Sequence, residues 1–143
     1  MSDVHAGLGI AVLVLNAVAA AWGSAAWVRR DPSTAFWYLL RAAQGAVVAE
    51  VALGTALVVG GTDVPDGLHY FYGIAPLFVT LVSEAARAGA AASVVEEVEG
   101  DVESLPRGQQ ILLARRVVLR EMGVMTVGAL LIVTLTLRAA GLF

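Results

Sequence analysis

The sequence predicts an all-α integral membrane protein: a four-transmembrane-helix up-down bundle with both termini outside and a cytoplasmic extension of the fourth helix. Three observations predict it. Hydrophobic residues make up 59% of the 143 residues and charged residues 15%, and the mean hydropathy of +0.80 lies outside the range of soluble domains. Four apolar runs meet or approach the roughly 20 helical residues that cross about 30 Å of hydrocarbon. The arginines collect at one end of those runs.

The first run, Ala6 to Val28, has no basic residue before it and is followed by Arg29 and Arg30. It therefore reads as a retained span whose C-terminal end is cytoplasmic, and not as a cleaved signal. RRDPSTA, over 29–35, is a tight turn with Pro32 and an N-cap at Ser33 or Thr34. The second span is expected from Phe36 to Gly60, and GTDVPDG over 61–67 forms the next tight turn. The third runs from Leu68 to Gly89, with a kink expected at Pro76.

The only long connection, 90–119, divides into an acidic part, SVVEEVEGDVES, and a basic part, RGQQILLARRVVLREMG. The acidic part reads as a solvated loop. The basic part reads as a helix capped by Ser104, with Pro106 in its first turn, that anchors to anionic headgroups and enters the fourth span, Arg120 to Leu142.

Short turns make the first three helices antiparallel neighbours, and the long connection returns the fourth beside them. Eight of the nine arginines then fall with the first and third connections, against Arg138 alone on the other side, which places those connections in the cytoplasm. Aromatic residues mark the same frame. Trp22, Trp27, Phe36, Trp37 and Tyr38 lie at the cytoplasmic boundary, while Tyr70, Phe71, Tyr72 and Phe143 lie at the outer one. The expected location is the inner (plasma) membrane, multi-pass, in a single domain over 1–143.

The net charge of −3 conceals five of the twelve acids within Glu96 to Glu103, and nothing in the charge pattern calls for nucleic acid. The absence of cysteine removes thiol chemistry and thiolate metal sites. No Ser-His-Asp set, HExxH or phosphate loop occurs, and two histidines are too few for most metalloenzyme templates. The runs DGLHYFYG and REMGVMTVGALLIVTLTLRAAG resemble segments of four-span membrane proteins of actinobacterial type, a resemblance that carries no catalytic residue.

A charge at the bilayer centre costs on the order of 2.5 to 3.5 kcal/mol on insertion scales, so each polar residue inside a span asks for a reason. Glu50 is expected to point into the bundle on a face of small residues, protonated or hydrogen-bonded to Asn16, Thr80 or a similar group. Arg41, a turn inside the boundary, is expected to snorkel rather than pair. Glu84 and Arg87 suit an i, i+3 ion pair. Met122 and Met125 read as packing residues.

On the first span His5, Gly9, Asn16, Gly23 and Trp27 share a side, which is expected to face the polar side of the third span. His5 and His69 begin spans that start at the same surface. That coincidence admits a haem b held between them with Tyr70 and Tyr72 near its propionates, or a quinone headgroup on His69. The first functional expectation is a non-enzymatic accessory, assembly or structural subunit, a homo-oligomer or a companion of other membrane subunits in the lipid bilayer. The alternative is a redox or proton-coupled protein using His69, His5 and Glu50.

Overall fold

Two turns of similar construction set the helix order. In the computed structural model, which describes residues 2–63, 67–98 and 100–141, α1 (Ser2–Val28) ends with Asp31 N–H donating to the Ala26 carbonyl and Arg30 N–H to that of Trp27. Helix α2 (Thr34–Val59) ends the same way, with Thr62 N–H on Leu57 and Gly61 N–H on Val58. This paired bonding closes orphan carbonyls at a helix end and requires a left-handed residue. Gly61 supplies it at φ +85°, and Arg30 supplies it at φ +54°. Ser33 caps α2, its hydroxyl accepting from Phe36 N–H.

Helix α3 (Gly67–Glu96) and helix α4 (Arg107–Ala139) complete an all-helical chain, joined by a 3₁₀ turn at Val102–Ser104; none of the described residues is in a strand. All four helices are long and apolar enough to cross a membrane, which suggests a multi-pass membrane protein. Around the bundle α1 packs on α2 and α4, α3 packs extensively on α4, and α2 and α3 touch more sparsely, so α1 and α3 lie across a diagonal. One end holds His5 and His69 and is called the histidine end. The other holds the α1–α2 and α3–α4 connections and is called the basic end.

The third helix departs most from expectation. Helix α3 continues through Ala90 to Glu96 where a solvated loop was expected, while α4 begins at Arg107 as the expected extension of the fourth helix. The sequence AARAGAAAS has strong helix formers and nothing to stop it, and a helix ends at its caps, not at the membrane surface. Val94 is buried, and Arg116 reaches Glu97 at 3.6 Å across the projecting pair. Ser104 ends the 3₁₀ turn, whose cap is Asp101, and Pro106 itself occupies the N-cap of α4. Pro76 lies inside a continuous α3, and the Thr80 hydroxyl donates to its carbonyl. Phe143 lies outside the described residues.

The interior is layered. Towards the histidine end Val12, Val47 and Ile132 form an apolar layer, packed by Ala46, Leu77 and Val79. Towards the basic end Ala26, Phe36, Leu40, Met122 and Met125 form a second, packed by Trp37 and Val118. Phe36 is therefore a core residue and not a boundary aromatic; it is fully buried. Met122 and Met125 pack here, as expected of them. Glycines allow the closest helix approaches: Gly23 lies against Phe36 and Thr126, Gly123 against Trp27, and Gly128 against Ser83.

Candidate functional site

Three polar groupings occupy the bundle, and the first lies at the histidine end. His5 Nδ1 is 3.1 Å from Glu50 Oε1, and the His5 and His69 rings meet edge to face with centroids 6.0 Å apart. Glycines make room for this: Gly54 lies under the His5 ring and Gly9 under the Glu50 carboxylate. Glu50 thus points into the bundle as expected, but its partner is His5, not Asn16 or Thr80. Its second oxygen, Oε2, is buried without a hydrogen bond.

The second grouping lies at mid-bundle. Asn16, Gln44, Thr80, Ser83 and Gly128 line a cavity of about 10 Å³, together with Leu40, Met125, Ala129 and Ile132. That volume is on the scale of a single water. The Asn16 amide donates to the Val12 carbonyl. The first and third spans, expected to face each other, approach here and at the two histidines, while the glycine face of α1 packs on α2 and α4.

The third grouping is a charge network towards the basic end. Arg87 Nε donates to Glu84 Oε2 at 2.8 Å, and its Nη1 donates to Glu121 Oε1 at 2.8 Å. Arg41 Nη1 donates to Glu84 Oε1 at 2.6 Å and to Gln44 Oε1 at 2.6 Å, and Gln44 Nε2 donates to Glu84 Oε1 at 2.8 Å. The Arg87 guanidinium also lies 5.8 Å from the centre of the Trp37 ring. The i, i+3 pair is present, and Arg41 pairs with it in place of snorkelling. The charges Arg41, Glu84, Arg87 and Glu121 sum to zero, so the network joins α2, α3 and α4 without a net charge.

At the histidine end His5 thus turns Nδ1 to Glu50, which leaves Nε2 as its other ring nitrogen. Tyr70 is exposed and lines an outward apolar groove of about 660 Å³ with Phe71, Ile74, Phe78 and Leu135, whereas Tyr72 stacks edge to face on Phe71 at 5.3 Å. Among the described residues no group of three or more His, Asp or Glu is arranged to hold a metal ion. No family model matches the chain, and neither a curated protein nor a solved structure is similar to it.

Gln44 and Glu121 are the participants that sequence reasoning passed over. Glu121 adjoins the buried Met122, and an acid at that junction, level with a basic residue on a neighbouring helix, was the available signal.

Proposed function

We propose that this multi-pass membrane protein is a non-enzymatic structural subunit that works by packing against further transmembrane helices, from a second copy of itself or from a partner. One observation carries the reading. Ala42, Gly45, Ala49, Ala52 and Ala56 form a seam at alternating spacings of three and four on α2, and all five are exposed. Small residues in that pattern let helix backbones approach closely, whereas lipid tails gain most from large side chains. Elsewhere the outer surface carries such side chains, including Ile10, Val14, Phe71 and Phe78. The paired charges support the same reading, since they hold the bundle's own helices together.

The expected result is that the purified protein runs as an oligomer or with co-purifying membrane subunits, and that Gly45→Leu/Ala49→Leu releases a folded monomer. A wild-type protein that is monomeric in several mild detergents, with no companion, overturns the proposal. The arginine distribution further supports a topology with the basic end in the cytoplasm and both termini outside, in the plasma membrane. Because the chain has no cysteine, one introduced at Asp101 is a clean reporter. It is expected to resist an impermeant maleimide in intact cells and to react after lysis, and labelling in intact cells reverses the topology.

A second reading, proton-coupled activity through Glu50, His5 and His69, is favoured by the meeting of these three residues and by the unpartnered Glu50 Oε2. Glu50→Gln separates the two. A structural role predicts retained assembly and a stability change below about 1 kcal/mol, because the amide keeps the shape of the carboxylate and a polar oxygen beside His5. Loss of proton movement in reconstituted vesicles, with assembly intact, would favour the second reading.

A further inference from the structure

At the basic end, the Arg115 guanidinium donates through Nη2 to the Arg30 carbonyl at 2.7 Å. This bond joins α4 to the α1–α2 turn and sets the Arg115 guanidinium against the backbone of the Arg29–Arg30 pair, 85 residues away from Arg30 in sequence. Among the described residues none of the three forms an ion pair with a carboxylate, although Asp31 is in the same turn. Arg41 and Arg87, by contrast, are fully engaged with Glu84 and Glu121.

The backbone supplies an independent observation. Arg30 sits at φ +54° in the helix-ending position that Gly61 holds at the end of α2. A side chain in this conformation costs more than glycine does, so the turn alone gives no reason for an arginine there. A cationic ligand site does. Its depth is fixed by the neighbouring aromatics: Trp27 and Trp22 are exposed on the last turns of α1, and Trp22 Nε1 donates to Ser33 Oγ at 2.9 Å. Indole rings in such a place sit at headgroup level.

We propose that Arg29, Arg30 and Arg115 bind the phosphate of an anionic phospholipid headgroup. The site rests on the membrane reading given above. Guanidinium groups match phosphate through paired N–H donors, and the negative surface potential of an anionic leaflet concentrates the ligand.

The test compares thermal melts of the full chain in phosphatidylcholine nanodiscs with melts in discs containing phosphatidylglycerol. Phosphatidylglycerol is expected to raise the wild-type melting temperature, and inorganic phosphate added to phosphatidylcholine discs is expected to leave it unchanged. Arg30→Gly is expected to melt a few degrees higher than wild type in pure phosphatidylcholine, because the strained position is relieved, and yet to lose at least half of the phosphatidylglycerol shift. Arg29→Gln/Arg115→Gln is expected to lose the shift as well. Full retention of the shift in both variants overturns the proposal, and so does its reproduction by inorganic phosphate, which would mark a site for soluble anions. A chain that remains soluble without detergent refutes the membrane reading itself and is recognised separately, before any lipid is added.

Discussion

Gly23→Leu is expected to cost the folded bundle about 3 kcal/mol, the upper range for forcing extra side chain into a packed interior. A Cβ at this position would lie 2.5 Å from Phe36 Cε2 and against the Thr126 hydroxyl, and both neighbours are fully or almost fully buried. Phe36 cannot move aside without disturbing Leu40, Met122 and Met125, so the strain falls on the crossing of α1 with both α2 and α4. Unfolding in mixed micelles of increasing dodecyl sulfate content measures the loss. Gly73→Leu is the control: nothing lies within 4 Å of a Cβ there, and its cost should stay within about 0.5 kcal/mol.

Arg87→Met is expected to cost a similar amount, about 3 kcal/mol, because it leaves the Glu121 carboxylate without its cation and Glu84 with Arg41 alone. The half-exposed Arg41 can follow Glu84, but the cation paired with Glu121 is Arg87 itself. Arg87→Met/Glu121→Met removes an opposite pair and leaves Arg41 with Glu84, so it should recover at least half of the loss in the same unfolding assay. No recovery in the double variant would mean that Arg87 acts through packing on Trp37 and not through charge.

The sequence made the helices legible because length and apolarity are local properties, and the bounds of α1 and α2 follow the apolar runs within a few residues. The projection of α4 was legible from Pro106 and the helix formers after it, whereas that of α3 was hidden because the run from Ala85 to Ser93 is helical by propensity but not apolar enough to read as a span. Helical periodicity gave the facing of Glu50 and Asn16, but a wheel fixes direction on one helix and not which neighbour stands opposite. His5 therefore replaced Asn16 as the partner of Glu50. The same limit applied to Arg41, whose partner Glu84 is 43 residues away on another helix. The signal within reach was electrical: four charges near one depth that cancel.

The projecting ends of α3 and α4 change how the basic end is approached. Arg115 is level with the end of α1, and Arg107 lies eight residues further along α4, about 12 Å at 1.5 Å per residue. Half of the basic end is therefore a raised post, roughly one helix diameter tall, beside a low shelf made by the α1–α2 turn. A flat partner would rest on the post and miss the shelf. Whatever reaches Arg29 and Arg30 must come from the α1–α2 side or be as small as a lipid headgroup.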